Sequence, residues 1–301
     1  MSWAFLTTVL FSISVVCGHR SAKLVGGAEA NFWRLTVALL FLASWAHLFG
    51  QGASGNAFPI FLLSGLVGIG FGDVAFFEAL PHLGSRLTVL LVQCLSAPFA
   101  ALIEWAWLGT RLSAAQILFG LVVLGGVVMA LSPGKHLSLS RRELFIGSLF
   151  GALAALGNSF GAVLSRKGYE VAHTAGQNLD GITAAYQRVL GGLLIAGLFL
   201  LFNKRPWLSL PSAERISASE KWRRVWPWVL ANGLAGQTLG VSCYQWALKM
   251  APTGVVLPIV ALTPVVVIPF AWFFENERPA PRSIIGGLIA VSGAIALARA
   301  R

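Results

Sequence analysis

Asp73 and Glu78 stand in "FGDVAFFEAL" (71–80), a run whose other residues are apolar or small. A charge at mid-bilayer costs roughly 2.5–3.5 kcal/mol on insertion scales, so each needs a partner, a watery cavity or a task. The task open to such a group is capture of a proton, a cation or a polar solute away from bulk water. Five residues of helix turn through about 500°, so the two side chains point about 140° apart and do not share one ion. Arg34 and Glu78 fall at the same membrane face if the second span begins where the third finishes, and a structural salt bridge between them is expected. Asp73 then has no partner at its level and is assigned to a cavity, for substrate or proton binding.

Other polar residues lie near mid-depth of apolar stretches: Ser14, Gln93, Asn158 and Gln237. A neutral amide or hydroxyl in lipid needs hydrogen-bond partners, supplied by another helix or by a ligand. Tyr244 and Trp246 offer a stacking surface to the same pathway, although packing is the commoner role of such rings. Glu104 and Lys249 lie near span ends and are expected to reach the interface.

The elements that must hold these residues are membrane helices. The chain has 301 residues, 56% hydrophobic and only 11% charged, with a mean hydropathy of +0.76. A soluble domain carries about 25% charged residues. Apolar stretches long enough to span hydrocarbon recur at 3–22, 32–49, 58–80, 84–108, 113–132, 144–165, 182–202, 226–248, 253–274 and 283–299. The expectation is an all-α integral membrane protein of ten transmembrane helices, with no soluble domain of useful size. Period-two alternation, the mark of a membrane barrel, is absent.

The net charge of +11 comes from basic residues in short loops, which suits anionic headgroups better than nucleic acid. The 203–225 connection, with Trp207 and Trp222 beside Trp226 and Trp228, resembles an interfacial aromatic belt. Cys17, Cys94 and Cys243 fall inside spans and form neither a disulfide framework nor a CxxC metal spacing. No HExxH is present, so neither a metal nor a cofactor is expected. "GNSFG" (157–161) spells the serine-hydrolase elbow, which has meaning only between a strand and a helix and with a triad. Inside an apolar helical run it reads as small residues plus Asn158 on a cavity-facing helix. An intramembrane enzyme is the weakest alternative.

The chain is written twice. In "SGLVGIGFGDVAFFEALPHLGSR" (64–86) and "NGLAGQTLGVSCYQWALKMAPTG" (232–254), Gly65, Gly68 and Gly72 fall on Gly233, Gly236 and Gly240. Ala79-Leu80 falls on Ala247-Leu248 at the same offset, Gly120 and Gly126 fall near Gly287 and Gly293, and Arg34 falls on Arg188. Ser14 and Asn158 correspond if Lys23 is set against Lys167. Five spans per half is an odd number, so the second half enters the membrane from the opposite face. Inverted repeats place a substrate site near the midplane between the halves and support alternating access. The halves are taken as 1–133 and 134–301. The GxxxG spacings at Gly68–Gly72 and Gly236–Gly240 suit close helix approach in lipid. Pro98 and Pro264 lie close in repeat register and are read as matched hinges, with static kinks as the alternative.

These residues resemble the drug/metabolite transporter superfamily, specifically its ten-span, EamA-type members. The marks are Arg34 and Arg188 at the start of the second span of each half, Ala79-Leu80 and Ala247-Leu248 ending the third, a proline in the fourth, and the turns "LGTRL" (108–112) and "FENERP" (274–279). The resemblance implies export of small metabolites, amino acids or drugs through a central cavity, from a plasma (bacterial inner) membrane. Thr110 stands where the family usually carries Glu, which Glu277 keeps in the second copy. The first span has Ser12 and Ser14 but none of the acid that four-span relatives use to exchange protons, so their coupling is not carried over. Protons are a candidate coupling ion through Asp73. A channel or passive facilitator on the same scaffold is the first rival reading, and a monomer suffices to build a pathway. Arg34, Glu78 and Arg188 are read as structural or gating charges.

Orientation is contested. With a cytoplasmic N-terminus, the inner segments hold six basic residues and the outer ones fourteen, six of them in the 203–225 loop. The positive-inside rule therefore favours termini outside, whereas the resemblance implies cytoplasmic termini.

Overall fold

The computed structural model describes residues 1–131, 140–202, 218–267 and 281–300, and no strand occurs among them. Helix α1 (Ser2–Val25) meets α2 (Gly27–Leu48) across Gly26 alone. Its φ of 89° lies in the left-handed region that favours glycine, so one residue reverses the chain. Helix α3 (Phe58–Gly65) passes through a π-helical stretch, Leu66–Phe71, into α4 (Gly72–Leu108). Helices α5 (Ala114–Leu131), α6 (Arg141–Thr174) and α7 (Gly181–Phe202) follow. Helix α8 (Ala218–Asn232) passes through a second π-helical stretch, Gly233–Gly240, into α9 (Val241–Met250). Helices α10 (Thr253–Val260) and α11 (Pro281–Arg299) close the order. A capping box starts α6: Glu143 N–H donates to the Ser140 hydroxyl and the Glu143 carboxylate accepts from Ser140 N–H.

The helical residues from Phe58 to Leu108 are not one rod. Phe61 packs on Gly168, Gly68 on Gly161, Gly72 on Gly157 and Leu83 on Gly147, so this arm runs antiparallel to α6. Leu91 then packs on Gly151, Ser96 meets Ser159, and Glu104 meets Arg166, so the second arm runs parallel to it. The chain therefore turns back between Leu83 and Leu91, and α4 contributes to two crossings. Between Gly147 and Arg166 α6 rises about 28 Å, close to the hydrocarbon thickness. Ser2–Ala22, Phe58–Phe76, Thr88–Leu108, Arg141–Thr174 and Gly181–Phe202 are long and apolar enough to cross a bilayer, and Ala114–Ala130, Thr253–Val267 and Ile284–Arg299 are apolar over shorter lengths. With α2 and the α8–α9 unit, these make the ten spans expected.

The repeats are inverted. Helix α6 starts at the face where the third span ends, with Gly147 against Leu83. Helix α1 starts at the opposite face, where Trp3 stacks on Trp246 near the end of the eighth span. Packing is exchanged between the halves: α6 lies against α3 and its π stretch, whereas α1 lies against α8 and the other π stretch. A Cβ on Gly65 would collide with the Arg188 carbonyl, and one on Gly233 would come within 3.0 Å of the Arg34 carbonyl. Both π-helical stretches fall on the same repeat positions, bracketed by the glycines that match in sequence. Helices α5 and α11 cross through Gly126 and Gly286, each within 2.7 Å or less of the other's backbone if given a Cβ.

The largest core cluster joins α1, α4, α5, α10 and α11 through residues such as Ala97, Val123, Ile259 and Ala294. The ninth span is interrupted: α10 ends at Val260, Ala261 and Leu262 form a turn, and helix resumes over 263–267. Thr8 donates to the Ile259 carbonyl, Ser12 to that of Thr263, and Thr263 to that of Val260. Hydroxyls thus satisfy carbonyls that a proline-containing break leaves open in lipid.

Candidate functional site

The midpoint of α6 falls at Gly157–Asn158, and there two glycine pairs interlock. A Cβ on Gly157 would come within 3.0 Å of Gly72 Cα, and one on Gly161 within 2.7 Å of Gly68 Cα. "GNSFG" is therefore the packing partner of "GIGFG". Ser159 is fully buried and donates to the carbonyls of Ala155 (2.6 Å) and Ser96 (2.9 Å), so its hydroxyl ties α6 to α4. This close approach carries Asp73, next to Gly72, to mid-membrane.

Arg34 Nη2 lies 2.9 Å from Asp73 Oδ2, and its Nε donates to Asn31 Oδ1 at 2.8 Å. The expected Arg34–Glu78 pair is not formed; Glu78 is exposed. The reason is depth. Helix α2 begins at Gly27, five residues before the expected span, so Arg34 sits seven residues inside it, about 10 Å deep. Arg34 and Asp73 keep 19% and 22% of their side chains accessible, so the pair is not sealed inside the bundle. Asn158, half-buried, puts Oδ1 3.3 Å from an ideal Cβ on Gly72, alongside this pair.

Arg188 is the repeat counterpart of Arg34 and is only 4% exposed. Its Nη2 lies over Gly68, where a Cβ would come within 3.0 Å, and its guanidinium carbon is 6.0 Å from the centroid of the Tyr244 ring. Tyr169 and Asp73 are within electrostatic range. The ion pairs among the described residues are Arg34–Asp73, Arg166–Glu104 and Lys167–Glu170, so Arg188 is in none of them. Its Nε is buried without a hydrogen-bond partner, as are the Tyr169 hydroxyl, Gln237 Oε1 and both amide atoms of Gln245. Gln237 precedes Tyr244 by seven residues, two turns along the same span.

Toward the face that holds the N-terminus, two contacts close over this region. Glu104, expected at the interface, is 2% exposed. One oxygen accepts from Arg166 Nε at 3.2 Å; the other accepts from Thr253 N at 2.6 Å and from the Thr253 hydroxyl. Arg166 Nη1 also donates to the Leu248 carbonyl at 2.8 Å. Beside it, Trp246 stacks on Trp3 at 5.9 Å, and Lys249 Nζ lies 5.0 Å from the Trp246 ring while donating to Asn178 and to Leu179.

Ser14 donates to Asn232 Oδ1 at 2.6 Å in the seam between α1 and α8, which engages its hydroxyl between helices. Gln93 is half-buried on the second arm of α4. Pro98 and Pro264 do not match in form: α4 stays helical at Pro98, whereas Pro264 follows the break in the ninth span. Trp207, Glu277 and the "FENERP" turn lie outside the described residues. Of the aromatic belt, Trp222 packs edge-on against Trp33 and Arg20 lies 4.4 Å over Trp228. Sequence reasoning missed Asn31, Tyr169, Arg166 and Gln245. Spacing alone could have flagged Asn31, one turn before Arg34.

Two clefts lie away from these charges. One of about 720 Å³ is formed by His47, residues 50–55 and Gln177. The other, of about 550 Å³, is an apolar crevice among α4, α5 and α10 that includes Pro98 and Pro258.

The model of the EamA-like transporter family matches residues 1–132 and 145–299. The pseudopaline exporter CntI of Pseudomonas aeruginosa, from strains PAO1 and UCBPP-PA14, is 25% identical in each case over 99% of this chain and 95% of its own length. A protein of known crystal structure superposes with a TM-score of 0.76 over 98% of this chain and 95% of its own, at 18% identity, a likeness of fold.

Proposed function

The chain belongs to the EamA-like transporter family, and from that premise we propose that it exports small organic metabolites by alternating access through the space between its two repeats. The observation that carries this reading is the Arg34–Asp73 pair, an accessible ion pair deep in a helical membrane fold with Arg188 beyond it. Charges are not kept there for stability, since a buried ion pair is weak in that role. A relative matched over 99% of this chain and 95% of its own length is an exporter of pseudopaline, which supports the outward direction and a small-molecule cargo. The repeats, divided as 1–133 and 134–301, enclose the pathway. Arg34–Asp73 acts as the closure on one side, and the Glu104–Arg166–Thr253 network acts as the closure on the other. Asn158, Gln237 and Tyr244 are the cavity residues, and Trp246, stacked on Trp3, belongs to the second closure. Both termini are cytoplasmic.

Counterflow in proteoliposomes tests the reading. A carrier shows saturation and acceleration by solute on the far side of the membrane. Linear, unaccelerated flux would instead identify a passive pore.

A further inference from the structure

Repeat symmetry supplies two arginines to the middle of the membrane, but only one acid. Asp73 occupies the first copy; Val241 stands at its counterpart in the second. Arg34 takes that acid at 2.9 Å. Arg188 is left as a buried cation outside the described ion pairs. A guanidinium does not shed its proton, so it requires an anion from somewhere.

We infer that Arg188 seats a carboxylate of the transported solute. The inference rests on the transport reading above and deepens it. Its buried Nε has no hydrogen-bond partner, so the guanidinium keeps a donor for an acceptor-rich group. A planar guanidinium matches a carboxylate with two parallel hydrogen bonds. The Tyr244 ring shields one side of the guanidinium at 6.0 Å, which strengthens any charge pairing there by excluding water. Charge counting selects the class further. Arg34 and Asp73 neutralise each other, so the one charge left at Arg188 matches that of a carboxylate group, and a phosphate dianion over-compensates it. Room for the guanidinium is built in at Gly68, where any side chain would strike Arg188 or Gly161.

The test uses the purified full chain in detergent, with thermal stabilisation titrated by natural α-amino acids, their α-carboxamides and inorganic phosphate. At least one amino acid should bind about tenfold or more tightly than its carboxamide, in line with a hydrogen-bonded charge pair. Arg188→Gln should erase that preference, and Arg188→Lys should retain part of it. The acid-against-carboxamide comparison on the unmutated protein stands even if the variants fold poorly. Absence of any acid preference overturns the inference, as does phosphate outcompeting every acid or an Arg188→Gln protein that keeps the preference. Counterflow without acid preference leaves the transport reading intact. Acid-selective binding without counterflow removes the transport reading and keeps the subsite.

Discussion

Arg34 and Glu104 are the two residues whose surroundings most changed their meaning. Arg34 chooses Asp73 because it lies a third of the way along α2, level with the middle of the third span. Asp73 is therefore an ion-pair partner whose protonation would release Arg34. Asp73→Asn should abolish flux driven by a pH gradient while exchange stays measurable. Unchanged pH dependence in that variant would leave the pair as a purely structural lock. Glu104, with Arg166 and Thr253 as partners, behaves as a buried network. Removing one member of a buried pair strands the other, so Glu104→Gln should lower stability by about 3–5 kcal/mol. Thermal unfolding in detergent reads this, and a loss under about 1 kcal/mol would mean that water already reaches Arg166. Ser14→Ala removes one interhelical hydrogen bond in lipid, a loss of about 0.6 kcal/mol by the same measurement.

Among the elements, the two π-helical stretches do most to position the charges. Widening from i+4 to i+5 bonding shifts every later side chain around the helix and opens carbonyls, which is why such stretches recur at working sites. Thr238 fills one opened position by donating to the Gly233 carbonyl. Periodicity could not reveal them, because the same glycines satisfy an ordinary α-helix. Their packing was legible: GxxxG spacing announced close approach, and Gly157–Gly161 proved to be its partner. Gly161→Leu should therefore separate α6 from the third span and destabilise by about 1–3 kcal/mol or more, with loss of folded protein on size-exclusion chromatography as the readout. A monodisperse, fully active variant would contradict that packing. The ninth span differs from the fourth in being broken, and the hydroxyls of Thr8 and Ser12 hold its loose carbonyls. The proline positions were visible in sequence. Whether a proline kinks or interrupts a helix depends on which neighbour can satisfy the freed carbonyl, and only α1 decides that.

For the whole molecule, an even number of crossings puts both termini on one face, whichever face it is. A reporter that fluoresces only in the cytoplasm, fused after Arg301, should be bright. A dark fusion would side with the excess of basic residues in the opposite loops. Composition determined by itself that the chain is a bundle of membrane helices, since no other structure satisfies its backbone in hydrocarbon. Recurrence of glycines at a near-constant offset, with an arginine pair in the same order along both halves, determined the two repeats, and an odd span count determined their inversion. Those features are periodic or countable, so they survive without coordinates. Which carboxylate pairs with which arginine was left to the tertiary structure. That choice turns on helix start points, on the extra residue in each π turn, and on a glycine seam between α6 and the third span. Each shifts a side chain by several ångströms, more than the reach that separates an ion pair from two isolated charges.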